Sequence, residues 1–279
     1  MIELAADKGP RLELDEASLL DIGSCSVNGI DISPGERVPD DGDPRIFRAV
    51  QGFLFSCGPD HIRHPWPIGG DRNDQMYPLH GSASGHPARI IYSTKNLQGA
   101  ECVAQADIET VTGGHAQLNR VWRIENTTGK VYLHDEIINT GSESWPIFWM
   151  YHMNVGGRFL GGETRLEGAM LQQGGAHWRF GPEPGGVFCV PAEAENDGQY
   201  EVRLGPLASP VGATLSVHVP AKTLPFLQIW RNQKTPVDVI GIEPVSHRWV
   251  DRGELEAAGE FDWLAPGESR QFGLSFAFS

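Results

Sequence analysis

Residues 118–138 read LNRVWRIENTTGKVYLHDEII, and this stretch decides the fold class. Apolar and polar residues alternate in 118–124 and again in 131–138. A period of two is typical of strands with one buried face. The intervening residues 126–130, NTTGK, interrupt the alternation with a glycine and two threonines. The stretch therefore predicts a β-hairpin.

The rest of the chain follows the same pattern of short strands and turns. Residues 145–152, WPIFWMYH, are mostly apolar and predict a strand buried on both faces. Residues 260–264 and 270–278 flank the turn sequence APGE and predict two further strands. Residues 45–57 are a helix candidate, and the Gly-, Pro- and Asp-rich stretches 33–44 and 59–75 predict long surface loops. We expect an all-β protein with few short helices, forming a single domain over residues 1–279.

Charge and composition exclude several partner classes. The 279 residues carry a formal net charge of −14, which repels nucleic-acid phosphates, so we expect no nucleic-acid partner. No segment approaches the roughly 20 apolar residues of a membrane span, so we expect no membrane partner. The four cysteines form no CxxC motif and are expected to be reduced thiols. With an N-terminus unlike a signal peptide, this predicts a cytoplasmic protein, either a monomer or a homodimer.

Two histidines occur in settings that could serve chemistry. His80 lies between Leu79 and Gly81, where the backbone turns sharply. The alternative for His80 is a turn histidine that bonds a backbone carbonyl. His152 ends an aromatic-rich apolar run, where a polar titratable ring is costly unless something binds it. The alternative for His152 is a satisfied core histidine.

Glu243 ends the apolar run VIGIE at 239–243 and precedes a proline. A carboxyl group in such surroundings has a raised pKa because burial disfavours its charged form, which makes Glu243 a candidate general base. The alternative is a strand-end glutamate that reaches solvent. Trp230 and Arg231 follow another apolar run, and an aromatic face is a common platform for sugar rings. No HxH or HExxH pattern is present, so no metal site is predicted.

In combination these motifs resemble the aldose 1-epimerase, or galactose mutarotase-like, superfamily. The sequences LHG at 79–81, YHMN at 151–154 and GIEP at 241–244 occur in the order of that family. The segments LDIG at 20–23, NTG at 139–141 and LAPGE at 264–268 resemble a divergent bacterial branch, which is often described only as a domain of unknown function. The resemblance implies a large antiparallel β-sandwich, called a supersandwich, with an open sugar-binding cleft.

The resemblance also implies roles for individual residues. Glu243 matches the base that removes the proton of the anomeric hydroxyl, and His152 matches the acid that protonates the ring oxygen. His80 matches a second histidine that binds the sugar. Asn154 and Trp230 are further candidates for contacting the sugar. The implied activity is interconversion of the α and β anomers of an aldose without a cofactor.

The sequence departs from the family at two sugar-binding positions. The family's arginine upstream of the first histidine is nearest in position to Arg72, with Arg48 and Arg63 as alternatives. The family's aspartate between the second histidine and the glutamate has no counterpart here. Arg231 and Arg89 are further candidates for binding the substrate. An arginine in the cleft favours a sugar that carries a carboxylate, phosphate or sulfonate.

Two other functions remain open at this point. The protein could be a non-catalytic carbohydrate-binding or regulatory protein with the same cleft. It could also catalyse another sugar isomerase, lyase or hydrolase reaction, because one fold hosts many chemistries. The presence of all three titratable positions favours the mutarotase.

Overall fold

The computed structural model describes residues 1–36, 43–72 and 74–279, and its described strands all pair antiparallel. In chain order they are β1 (Ile2–Ala5), β2 (Arg11–Asp15), β3 (Asp21–Val27), β4 (Ile30–Asp31), β5 (Leu54–Cys57), β6 (Trp66–Pro67), β7 (Met76–Tyr77), β8 (Arg89–Asn96), β9 (Gly99–Glu109), β10 (His115–Glu125), β11 (Val131–Asn139), β12 (Trp145–Pro146), β13 (Met150–Gly156), β14 (Leu160–Glu167), β15 (Gly175–His177), β16 (Gly185–Pro191), β17 (Gln199–Leu207), β18 (Leu215–Pro220), β19 (Phe226–Asn232), β20 (Val239–Val245), β21 (Trp263–Leu264) and β22 (Ser269–Phe278). Helix α1 spans Pro44–Gln51 and α2 spans Arg252–Ala257, and 3-10 turns cover Gly70–Arg72, Gly157–Phe159 and Gln172–Gly174.

Two large sheets form the sandwich, which confirms the predicted all-β fold. The first has the order β1-β2-β3-β5-β13-β20-β19-β16, with β4 beside β3. The second has the order β15-β14-β17-β18-β22-β11-β10-β9-β8. Short ribbons of β12 with β21 and of β6 with β7 complete the described strands. Residues 37–42 and 73, within the two predicted loop stretches, lie outside the described residues.

The hairpin predicted from residues 118–138 is confirmed. β10 pairs with β11 in the centre of the second sheet, with Trp122 opposite Leu133. Every second side chain of β10 is buried, as the alternation predicts. Trp122 reaches across to the first sheet, where its Nε1–H donates to the Leu20 carbonyl at 2.9 Å. The main hydrophobic core therefore lies between the two sheets.

The helix predicted over 45–57 is wrong in its second half. Helix α1 ends at Gln51, and the following Gly52 has an extended conformation. A Cβ at position 52 would lie 2.7 Å from the Ile22 carbonyl oxygen, so the chain needs glycine where it passes β3. Leu54–Cys57 then forms β5, whose buried pairing with β13 outweighs the local helical pattern.

Two predicted strands are divided or redirected. The 145–152 run gives the short β12 and then β13, which is buried throughout. The strands on either side of the APGE turn exist, but β21 pairs with β12, whereas β22 joins the second sheet. The four cysteines are free thiols.

Candidate active site

A cavity of about 940 Å³ lies against the face of the first sheet that points away from the second sheet. Strand alternation places Gln228 and Trp230 on this face, whereas Leu227 and Ile229 point into the core between the sheets. β13, β19 and β20 contribute residues to its lining, together with α1, segments 63–65 and 76–80, and β16. Its volume lies within the range of roughly 300–1,000 Å³ that is typical of small-molecule sites.

Glu243 lies on β20 and is only 1% exposed, so it is not a strand-end glutamate that reaches solvent. It lies opposite Gln228 in the register of β19 and β20, and Gln228 Nε2–H donates to its Oε2. Burial raises the pKa of Glu243 to about 8, against the opposing effects of the Gln228 hydrogen bond and the Arg63 charge. The carboxyl group can therefore hold or release a proton near neutral pH.

His152 forms a pair with Glu243. Its Nε2 lies 3.1 Å from Glu243 Oε1, and the two side chains are 4% and 1% exposed. Gly241 makes room for this pair, because a Cβ there would lie 2.8 Å from Glu243 Oε1 and 2.9 Å from His152 Cε1. Gly241, two residues before the glutamate in the GIEP sequence, thus leaves space for the contact between His152 and Glu243.

Apolar rings surround the imidazole of His152. Phe55 stacks on it with ring centroids 4.7 Å apart, and Trp230 meets it at 5.5 Å. Burial lowers the pKa of His152 well below its ordinary value, and the charge of a protonated His80 lowers it further. Near neutral pH the carboxyl group of Glu243 therefore holds a proton and the adjacent imidazole of His152 is neutral.

His80 reaches the cavity from a tight turn. Its φ is +59°, in the left-handed region, and Gly81 follows at +79°. A Cβ at Gly81 would lie 2.1 Å from the His61 carbonyl oxygen, so this turn requires glycine. His80 Nδ1 lies 3.2 Å from the Ile62 carbonyl oxygen, which can only accept, so Nδ1 carries the hydrogen and Nε2 is an acceptor.

His80 and His152 meet edge to face, with ring centroids 5.5 Å apart. Burial lowers the pKa of His80 to about 4, so its ring is neutral near neutral pH. The turn-histidine alternative is thus correct for Nδ1 of His80, which bonds a backbone carbonyl. The imidazole ring of His80 nevertheless also lines the cavity beside the Glu243–His152 pair. The structure brings together the three titratable residues that the sequence singled out.

Most of this chain matches a known protein family. The model of the family described as "Domain of unknown function (DUF4432)" matches residues 20–278. The chain belongs to this family. Comparison with curated protein sequences gives no match.

Solved structures show which fold this DUF4432 protein has. It is similar to a protein from Klebsiella pneumoniae provisionally assigned as an aldose 1-epimerase, with 18% identity, TM-score 0.78, and coverage of 97% of this chain and 77% of that one. A galactose mutarotase related enzyme from Lactobacillus acidophilus matches with 13% identity, TM-score 0.67, and coverage of 100% and 97%. The galactose 1-epimerase of the same organism matches with 12% identity, TM-score 0.63, and coverage of 99% and 93%. The galactose mutarotase-like fold of the DUF4432 chain is thereby confirmed.

Three other predicted contact residues lie near the cavity in different ways. Trp230 lines it directly. Asn154 is fully buried, does not line it, and donates from Nδ2 to the Gly52 carbonyl oxygen at 3.2 Å. Arg231 is also one of the lining residues, but strand alternation directs its side chain away from that of Trp230. Its guanidinium donates to the carbonyl oxygens of Phe180 and Glu183, so Arg231 holds the segment before β16.

Of the arginines predicted to bind substrate, Arg63 and Arg231 are among the residues that line the cavity, whereas Arg72, Arg89 and Arg48 are not. Arg72 is exposed and donates to the Thr112 carbonyl oxygen at 3.1 Å. Arg89 lies on β8 of the second sheet and donates to a glutamine of that sheet. Arg48 pairs with Asp15 at 2.8 Å. Arg63, which was an alternative to Arg72 in the prediction, lines the cavity.

Gln228 is one of the site residues that sequence reasoning missed. It is 4% exposed and lies two residues before Trp230, on the same face of β19. The available signal was a polar amide in an otherwise apolar strand. It lies two residues from a candidate sugar-binding tryptophan and therefore on the same face of the strand. That signal could not identify Glu243 as the residue opposite Gln228 on the neighbouring strand.

The described residues contain neither a metal-binding cluster nor a membrane-spanning helix. No group of three or more His, Cys, Asp or Glu side chains in this part of the chain is arranged to hold a metal ion. No helix among the described residues is long and apolar enough to cross a membrane.

Proposed function

We propose that the protein interconverts the α and β anomers of an aldose, or of an acidic sugar derivative, by opening and closing the sugar ring. The observation that carries the proposal is the 3.1 Å contact between Glu243 Oε1 and His152 Nε2 at a cavity of about 940 Å³. Ring opening removes one proton and delivers another, and two adjacent titratable side chains are suited to both tasks. The names of the structural neighbours, a galactose 1-epimerase and a galactose mutarotase related enzyme, favour the same reaction.

The proposed chemistry balances without another reactant. A base removes the proton of the anomeric hydroxyl, and the C1–O1 bond becomes a carbonyl. The bond from C1 to the ring oxygen breaks, and that oxygen takes a proton from an acid. After rotation about C1–C2, the ring hydroxyl attacks the other face of the carbonyl, and both protons return.

A single proton in the Glu243–His152 pair meets these requirements. When the pair begins as carboxylate and imidazolium, Glu243 is the base and His152 the acid, as the family resemblance implies. The opening step leaves a carboxylic acid and a neutral imidazole, and closure restores the first state. The raised pKa of Glu243 and the lowered pKa of His152 favour the neutral form before substrate binds. Both forms hold the same number of protons, so the pair needs no exchange with solvent during the cycle.

The remaining cavity residues support sugar binding in this proposal. His80 Nε2 is an acceptor beside the pair and can bind a sugar hydroxyl. Trp230 offers an aromatic face to the sugar ring. Arg63 and Lys234 also line the cavity, and their positive charges would favour an acidic sugar.

The proposal is tested with freshly dissolved α-glucose, α-galactose and α-galacturonic acid, by polarimetry and by exchange NMR. We expect faster anomer interconversion for at least one sugar and loss of the acceleration in Glu243→Gln. Glu109→Gln, the same change on an exposed strand position of the second sheet, is the matched control. Tighter binding of neutral than of acidic sugars in titration calorimetry would count against an acidic substrate.

Binding of a sugar without any acceleration by the unmodified protein would overturn the catalytic proposal. It would instead support the alternative of a non-catalytic carbohydrate-binding protein. Acceleration that survives in Glu243→Gln would remove Glu243 from the mechanism.

A further inference from the structure

The carboxyl group of Glu243 is held from the side opposite His152 by the amide of Gln228. Gln228 Nε2–H donates to Glu243 Oε2. The same Nε2 lies 4.0 Å from the Met150 sulfur, which is a weak acceptor. The Gln228 Oε1 accepts from Arg63 Nε–H at 3.1 Å. Arg63, Gln228, Glu243 and His152 therefore form one continuous chain of contacts.

Arg63 determines which way this amide faces. A guanidinium has only donors, so the atom of Gln228 that faces it must be the carbonyl oxygen. The amide nitrogen then faces Glu243 and presents a hydrogen to Oε2. A proton on Oε2 would oppose that hydrogen, so a protonated Glu243 carries its proton on Oε1. Oε1 is the oxygen that lies 3.1 Å from His152 Nε2.

Arg63 is itself anchored to the strand that carries Glu243. Its Nη1 donates to the Arg248 carbonyl oxygen at 2.8 Å and its Nη2 to the His247 carbonyl oxygen at 2.7 Å. These carbonyls lie two and three residues after the end of β20. The guanidinium also lies over the indole of Trp249, 5.1 Å from the ring centroid. Because its Nε, Nη1 and Nη2 all donate hydrogen bonds and one face of the guanidinium lies over Trp249, Arg63 cannot rotate without breaking several contacts.

We propose that Gln228 is a positioning residue for Glu243. Arg63 fixes the orientation of the Gln228 amide, and that amide restricts the transferable proton of Glu243 to Oε1, which faces His152. This inference rests on the proposed function for its catalytic meaning, but the placement of the proton can be tested without turnover. In this proposal the amide of Gln228 does not titrate or transfer a proton, and it acts only through Glu243.

The effect on Glu243 has a defined direction. The hydrogen bond from Gln228 and the charge of Arg63 both stabilise the carboxylate and lower its pKa, against the larger effect of burial. Removing the Gln228 donor therefore raises the pKa of Glu243 above its present value of about 8. The charge of Glu243 in turn raises the pKa of Cys57 and of Cys189. The other titratable or charged groups that line the cavity are Asp43, His64, Tyr77, His80, His152, Arg231 and Lys234.

The experiment is an infrared titration of the protonated carboxyl band of Glu243, assigned as the difference between the unmodified protein and Glu243→Gln. In Gln228→Met, which keeps the side-chain length and loses both polar atoms, we expect the midpoint to rise by about 1–2 pH units. Gln228→Glu can still accept from Arg63 but adds a second carboxyl group, so its midpoint should rise at least as far. An unchanged midpoint in both variants would overturn the proposal.

Two further measurements separate positioning from folding and from catalysis. Gln105→Met removes a half-buried amide in the second sheet and should leave the midpoint unchanged; an equal rise there would overturn the assignment to Gln228. In an active enzyme, Gln228→Met should lower kcat about tenfold or more with little change in KM, and should move the alkaline limb of the pH profile upward. A shifted midpoint in a protein that never accelerates mutarotation would retain the positioning of Glu243 and reject the proposed function.

Discussion

Phe55 and His152 are direct partners across β5 and β13, and their rings stack with centroids 4.7 Å apart and planes 20° from parallel. The phenyl ring covers one face of the imidazole and excludes water from it. Since burial is the main cause of the low pKa of His152, Phe55 keeps this histidine neutral.

Phe55→Leu is expected to raise the pKa of His152 toward the ordinary value of about 6.5, because a smaller side chain lets water reach the imidazole. Histidine NMR titration measures the change directly. Phe148→Leu is the matched control, because Phe148 also packs against a histidine, His247, with centroids 4.4 Å apart and planes tilted by 34°. A His152 titration that moves equally in both variants would refute the specific role of Phe55.

The anomerisation rate is expected to be constant near neutral pH and to fall above about pH 8. The pair must hold one proton, and Glu243, with its pKa raised to about 8, releases the last one. On the acid side the rate falls only well below the ordinary histidine pKa, since burial lowers the pKa of His152. Exchange NMR, corrected by the rate of Glu243→Gln, gives the profile. A rate that keeps rising through pH 8 would show that a lone carboxylate is the base.

Glu243→Gln is expected to gain stability over the unmodified protein as pH rises. The pKa of Glu243 is raised on folding from 4.5 to about 8, so the stabilisation from its bound proton is complete below about pH 4.5 and is lost as pH rises through about 8. Glutamine cannot ionise and avoids this loss, which is on the order of 3 kcal/mol between pH 5 and pH 8. Urea unfolding at both pH values measures it.

The control for this stability test is Glu109→Gln at an exposed position, where the same substitution should leave the pH dependence of unfolding unchanged. A difference between Glu243→Gln and the unmodified protein that does not vary with pH would contradict the buried, proton-holding carboxyl group.

Arg120→Met is expected to destabilise the fold by about 3–5 kcal/mol, because it leaves two buried carboxylates without their counter-charge. Arg120 donates to Asp21 and to Asp135, each at 2.7 Å, and so connects the two sheets. Arg123→Met, on the exposed side of the same strand, should cost no more than about 1 kcal/mol. Chemical denaturation compares them, and equal small effects would exclude a structural role for the buried cluster.

Local sequence was sufficient where the structural rule is itself local. The alternation in 118–124 and 131–138 and the intervening turn predicted β10 and β11, because strand periodicity depends only on neighbouring residues. The same applies to the sharp turn at His80, which Gly81 signalled. The helix over 45–57 was predicted wrongly because its second half gains more from pairing with β13, a contact distant in sequence.

The convergence of the site depended on tertiary structure. The amino-acid sequence determined that strands form and that Glu243, His152 and His80 are chemically suited to proton transfer. Only the tertiary structure decided that Gln228 lies opposite Glu243 in the strand order β5-β13-β20-β19, and that Arg63 rather than Arg72 reaches the cavity. The physical reason is that sheet register and strand order are set by burial summed over the whole core, which no short stretch of sequence contains.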